Sequence, residues 1–117
     1  MQDFRKLKVW EKAHAVTLAV YRVRARFPAD ERFGLTIQLR RTATLVPMNI
    51  AEGCGRATDP EFLRCLSGAM GAANQLEYQL LLAHDLEFLP AKEHERLTTD
   101  AIEVKRMIAG LMNTLSG

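Results

Sequence analysis

The side chains best suited to chemistry in this sequence are cationic. Arg40 and Arg41 adjoin, and Arg56 follows fifteen residues after Arg41. Guanidinium forks match the geometry of phosphate oxygens, so these arginines can bind a nucleic-acid backbone. They can equally pair with Glu52, Glu77 or an acidic residue of a neighbouring subunit. Lys8, Lys12, Arg22 and Arg26 form a second basic stripe. Several phosphate contacts from such a stripe would give salt-sensitive, sequence-tolerant binding, and a solvated helix face accounts for the same residues. Trp10 and Tyr21 carry rings on which bases stack. Their helical spacing with Leu7 and Thr17 also fits packing in a core or an interface.

Other chemistries find less support. His14, His84 and His94 lack the i, i+4 partners of a helical metal site, so no metal or cofactor is expected. No nucleophile has an evident base and orienter, and the segment GCGRATD matches no nucleotide fingerprint. An enzyme is therefore not expected. Cys54 and Cys65 show neither paired metal spacing nor a secretory context, which makes reduced thiols the default. Asn49 and Glu52 can line a pocket, or Asn49 can satisfy the carbonyl freed by the nearby Pro47.

The elements that must position these residues read as helices. A length of 117 residues fits one domain spanning 1–117, and 48% hydrophobic residues suffice for a core without staples. Net charge is only +2, but residues 1–41 hold ten Lys/Arg against four Asp/Glu, and residues 42–117 hold six against ten. Such asymmetry either makes a basic and an acidic face or pairs a basic helix with an acidic neighbour. No window approaches the ~20 apolar residues of a membrane span, and no signal peptide precedes the first amphipathic segment.

Helix one is expected from Leu7 to Phe27, on a seam of Val9, Ala13, Val16, Val20, Val23 and Phe27 closed by Pro28. A second apolar set, including Trp10, Leu18 and Tyr21, widens its apolar side to roughly 220°, where ~100° serves a single core. The surplus suggests a second interface. Helix two carries Leu35, Leu39, Thr42 or Ala43, Val46 and Ile50, has Pro47 beside its seam, and stops at Gly53-Cys54-Gly55. Its two glycines are expected to supply left-handed terminating conformations.

Thr58-Asp59-Pro60-Glu61 matches a capping box and opens helix three, which runs to about Phe88 on Phe62, Leu66, Ala69, Ala73, Leu76, Leu80 and Ala83. Within it, Gly68, Gly71 and Ala72 fall on one side, as close approach of another backbone would require. Helix four is expected from Ala91 to Leu115. Short connections favour antiparallel neighbours, so the fold class is all-α: an antiparallel, up-down-up-down four-helix bundle.

With all four helices in view, the chain resembles the family of small four-helix-bundle proteins named after proteins encoded within intervening sequences of bacterial large-subunit ribosomal RNA genes. The resemblance is carried by FRKLKVWEKAH, FPADERFGLTIQLRR, VPMNIAEGCGR and EFLRCLSGAMGAANQLEYQLLLAHDL. It implies a protomer that assembles into a closed ring, often a pentamer, in the bacterial cytoplasm. Through similarity to bundle proteins that accompany diversity-generating reverse transcriptases, it also implies a link to RNA or another nucleic acid. The sequence departs from the family pattern at Gln75, at Glu87 in place of a usual glycine, and at Met48 in place of a small residue.

Together these readings give a cytoplasmic homo-oligomer. Nucleic acid would be held by Lys8, Lys12, Arg22, Arg26, Arg40, Arg41 and Arg56; Pro47, Asn49, Glu52 and Glu77 would be structural or pocket residues. Trp10, Tyr21, Gly68, Gly71 and Ala72 would lie at the oligomer interface. The alternative is a protein scaffold or adaptor ring with no nucleic-acid ligand.

Overall fold

The computed structural model describes residues 2–23 and 34–116. A short 3-10 turn, Phe4–Lys6, precedes four helices: α1 Lys8–Arg22, α2 Leu35–Cys54, α3 Asp59–Asp85 and α4 Ala91–Ser116. Among the described residues there is no strand. All four helices contribute to one core, and the seams expected from spacing are the residues it buries, from Val9 and Ala13 on α1 to Val104 and Ile108 on α4. α1 packs on α2 and α4, α2 on α3, and α3 on α4, while the backbones of the diagonal pairs, α1 with α3 and α2 with α4, stay apart. The helices thus occupy the corners of a square in chain order, as a bundle with one shared interior.

Pro47 is buried and α2 continues through it. A proline has no N–H for the carbonyl four residues earlier, here Ala43, and its ring crowds that same carbonyl, at ~3 kcal/mol or more. The missing donor comes from another helix. Thr17 Oγ1 on α1 lies 3.0 Å from the Ala43 oxygen and 3.0 Å from the oxygen of Ala13, its own i−4 carbonyl. One hydroxyl proton serves two acceptors, so α1 repairs α2 while remaining anchored to itself. Asn49 does not make this repair: its Nδ2 donates to Leu45 O at 2.8 Å, two positions further along the helix.

Helix ends differ from expectation in instructive ways. α1 stops at Arg22, because Val23 is extended (φ −63°, ψ 138°). The apolar seam runs on through Val23, but seam spacing does not fix a backbone, and a β-branched residue holds the helical state weakly. Arg26, Pro28 and Phe27, the expected last residue of the seam, lie outside the described residues. At the end of α2, no described glycine has positive φ, and Gly55 is right-handed (φ −86°). Gly53 is required for space instead: a Cβ there would sit 2.6 Å from a ring carbon of Phe62 and 3.1 Å from Cys65 Cβ.

The left-handed residue belongs to Glu87, with φ 66°. Its N–H donates to His84 O at 2.9 Å, and the N–H of Phe88 donates to Ala83 O at 2.9 Å. Those two bonds form a Schellman turn that ends α3 at Asp85, with glutamate in the position glycine normally takes. At the start of α3, Thr58 Oγ1 accepts from the Glu61 N–H and donates to the Glu61 carboxylate. Glu61 therefore reaches the Thr58 hydroxyl rather than its backbone N–H.

Two outcomes are expected from thermal or urea unfolding. Thr17→Val leaves the Ala43 carbonyl buried without a donor and lowers stability by ~1–3 kcal/mol, the cost of an unsatisfied buried polar group, while Thr17→Ser retains most of it. Glu87→Gly relieves a left-handed L-residue and raises stability by ~1 kcal/mol; an unchanged midpoint would mean the turn is not under strain.

Candidate interaction surfaces

The basic residues divide by what they touch. Lys12 Nζ donates to Asp100 Oδ1 at 3.2 Å and lies 3.4 Å from Glu103 Oε2, both on α4. The hydrogen bond to Asp100, followed by the charges of both carboxylates, holds the ammonium above its ordinary range. Here a lysine of α1 is paired with two carboxylates of α4, although α4 as a whole carries as many basic as acidic residues. Arg40 lies over the Tyr21 ring, 4.9 Å from its centroid, and its Nη2 donates to the Tyr21 carbonyl at 3.4 Å. Arg56 donates to Glu52 at 3.0 Å. Glu77 meets none of these arginines, since Lys105 of α4 holds it at 2.8 Å. Lys8, Arg22 and Arg41 are exposed and form no ion pair among the described residues.

Glu52, Arg56 and Cys65 meet where α2 ends and α3 begins. The Cys65 thiol points its weak donor at Glu52 Oε2 over 3.8 Å. The Cys65 sulfur, then the Glu52 charge, hold the Arg56 guanidinium above its ordinary range. Burial, reinforced by the charge of Asp3, pushes the Cys54 thiol up, which disfavours the thiolate that a nucleophile needs. No histidine joins this corner. His14 stacks on Trp10 (centroids 5.0 Å, rings 9° apart), and His84 stacks on His94 (4.5 Å, 8°).

Glu11 and His14 do stand at Glu-x-x-His spacing, but a di-iron bundle needs two such pairs and two further glutamates. Among the described residues, no three His, Cys, Asp or Glu side chains gather as metal ligands. None of the described helices is long and apolar enough to cross a membrane.

The small residues of α3 separate in space. A Cβ at Gly68 would lie 3.0 Å from Asn49 Oδ1, so Gly68 lets α2 approach closely within the protomer. Ala72 is buried in the core, whereas Gly71 is exposed and a Cβ there would meet nothing within 4 Å.

A largely apolar groove of about 510 Å³ lies between α1 and α2, lined by Trp10, Leu18, Tyr21, Pro47 and Met48 among others. Its floor is held by packing. Trp10 is held between Phe4 (4.9 Å) and His14, and Pro47 lies against the Thr17 repair described above. Its rim is bare, with Met48 58% and Tyr21 48% exposed. On the other side of the bundle, α3 and α4 flank a cleft of about 370 Å³ carrying Tyr78, which is 61% exposed, and Leu81. In the interior lies a void of about 10 Å³ lined by Ala, Val and Leu, too small and apolar for a ligand.

Trp10 and Tyr21 were legible as surface candidates from the width of the apolar side of α1. Met48, Leu45, Tyr78 and Leu81 were not, although a signal existed: Leu45 with Met48, and Tyr78 with Leu81, are i, i+3 apolar pairs lying off the core seams.

Comparison with known proteins agrees with this architecture. A crystal structure of a protein of unknown function from the S23 ribosomal protein family of Bacteroides thetaiotaomicron superposes with a TM-score of 0.79 at 23% identity, covering 90% of this chain and 95% of that one. At that identity the likeness establishes the fold alone. No curated protein matches the sequence. The profile of the 23S rRNA-intervening sequence protein family matches residues 5–110, and on that match the chain belongs to this family.

Proposed function

We propose that this protein is a non-enzymatic, cytoplasmic, homo-oligomeric scaffold whose unit is the whole chain, a single up-down-up-down four-helix domain. The observation that carries the reading is the bare apolar groove of Trp10, Tyr21 and Met48. It leaves Tyr21 and Met48 largely exposed, hydrophobic area that a second protein surface would cover. The antiparallel order is supported by paired levels along the helices: Asn49 meets Gly68 and Gly53 meets Phe62 across α2 and α3, and Glu77 meets Lys105 and His84 meets His94 across α3 and α4. The non-enzymatic reading is supported by the thiols, carboxylates and imidazoles, which are spent on structural partners rather than assembled around a cleft. A closed ring is the preferred assembly, and the count of five rests on the family resemblance.

Nucleic-acid binding becomes the second reading, because partners absorb much of the charge that suggested it. Lys12 and Arg56 are in ion pairs and Arg40 covers Tyr21, which leaves Lys8, Arg22 and Arg41 of the described candidates free for phosphate. Arg22 and Arg41 favour it specifically, since both stand beside the Arg40–Tyr21 contact without a counter-ion of their own among the described residues.

Two measurements decide between these readings. Light scattering at working concentration is expected to return a multiple of the 13.2 kDa protomer; a monomer refutes the scaffold. A polarisation titration with structured RNA at ~50 mM salt tests the second reading: binding that weakens steeply with salt and is lost in Arg22→Glu/Arg41→Glu supports it, because phosphate contacts release counterions. Absent or salt-indifferent binding removes it.

A further inference from the structure

The short turn that precedes α1 keeps most of its bonds to itself. Asp3 Oδ1 accepts from the Arg5 N–H at 3.0 Å and pairs with the Arg5 guanidinium at 3.3 Å. The N–H groups of Lys6 and Leu7 donate to the carbonyls of Asp3 and Phe4 at 3.1 and 3.0 Å, and Arg5 lies over the Phe4 ring, 4.7 Å from its centroid. None of the residues Phe4–Lys6 is buried. The turn meets the bundle through Gln2 and Phe4. The Gln2 N–H donates to the Cys54 carbonyl at 2.9 Å, and the Phe4 ring lies against Trp10 at 4.9 Å.

Both contacts cover something that α1 and α2 leave open. The Cys54 carbonyl belongs to the last turn of α2, where the helix has no N–H left to offer it, so its donor comes from Gln2. Cys54 itself is 2% exposed, and burial, then the nearby charge of Asp3, pushes its thiol up. Phe4 covers Trp10 and lines the α1–α2 groove. The pivot is Leu7, which is extended and begins α1 without a side-chain cap. Rotation about its N–Cα bond swings residues 2–6 with their internal bonds intact. The Leu7 side chain stays against the core, and the Leu7 carbonyl keeps its bond from the Glu11 N–H, 3.1 Å.

We infer that residues 2–6 form a strap that opens as one unit while the four helices stay folded, uncovering the Cys54 thiol and the Trp10 ring together. A segment with few ties to the core opens at a cost well below that of global unfolding. Closed, the strap completes one end of the groove. Open, it takes Phe4 out of the groove and leaves the Cys54 carbonyl to water. The strap therefore sets how far the apolar surface extends, whatever the groove receives.

The test uses the full chain in a Cys65→Ser background, where Cys54 is the sole thiol and Trp10 the sole tryptophan. Gln2→Pro removes the N–H that the Cys54 carbonyl receives, and Phe4→Ala removes the ring on Trp10. Both positions lie outside the four helices, so helical circular dichroism is expected to stay unchanged. Each variant is read at the tie it leaves intact. Phe4→Ala is expected to speed modification of Cys54 by an aromatic disulfide reagent about fivefold, the shift in an opening equilibrium that losing one weak contact gives. Gln2→Pro is expected to raise acrylamide quenching of Trp10 fluorescence. Leu97→Val loosens the core near the stacked His84 and His94, away from the strap, and is expected to leave the Cys54 rate unchanged. A variant that alters only its own end overturns the inference, because the two ties then open separately. Equal acceleration in Leu97→Val also overturns it, because Cys54 is then reached by unfolding of the bundle.

Discussion

The carbonyl of Ala43 is the constraint on which the arrangement of this protein depends. Pro47 deprives it of its helical donor in a segment where water has no access, so the group must find another donor or be costly to bury. Thr17 supplies it from α1, within 3.0 Å. That single contact fixes the rotation of α1, because the hydroxyl must point at α2 while Val16 and Val20 beside it enter the core. It also fixes which face of α1 looks outward. Once Thr17 is turned to α2, the adjacent Leu18, His14 and Tyr21 one turn away, and Trp10 two turns away line the external groove along with Pro47 itself. A defect in one helix is thus repaired by a second, and the repair creates the apolar surface that they share.

The contact between α2 and α3 obeys a related logic of space. Gly53 and Gly68 both lack the atom that would collide with the opposing helix, the first against Phe62 and Cys65, the second against Asn49. Each glycine lowers helix propensity by ~1 kcal/mol relative to alanine, which close packing over the length of α3 offsets. Asn49, being turned toward its own helix to bond Leu45, presents its Oδ1 to the empty side of Gly68. Pro47, Asn49 and Gly53 on α2 and Gly68 on α3 therefore read as one packing device, which accounts for the distinctive stretch around the proline by packing.

Much of this architecture was legible in the sequence, and the limits have physical causes. The seams of α2, α3 and α4 were readable because a buried stripe demands apolar residues at fixed spacing, and burial is the strongest selection a helix experiences. The ends were harder. Val23 continues the stripe of α1 yet is extended, since side-chain periodicity carries no information about where the backbone leaves the helix. The glycines after Ile50 suggested left-handed caps, because glycine is used both for positive φ and for close approach, and only the partner helix tells the two apart. Glu87 took the left-handed position instead, at the place where the family pattern has glycine. The charge asymmetry was plain in the sequence, but which cations are neutralised was not. Lys12 and Asp100 are 88 residues apart and meet only because α1 and α4 are neighbours in the square.

That last pairing bears on how the surface of the protein is to be read. A basic helix laid against carboxylates of its neighbour uses part of its charge inside the protomer, and what remains is set by geometry rather than by composition. Lys12 faces α4 and is consumed there, while Arg22 and Arg41, at the far end of α1 and the near end of α2, are exposed and form no ion pair among the described residues. Arg22 directly follows Tyr21, one of the residues that line the groove. Phosphate contacts draw nothing from Leu18 and Met48, although bases can stack on Trp10, whereas a protein interface combines an apolar centre with a charged rim. The coincidence of unspent arginines with unspent hydrophobic area makes association between protein surfaces the more economical reading of the same residues.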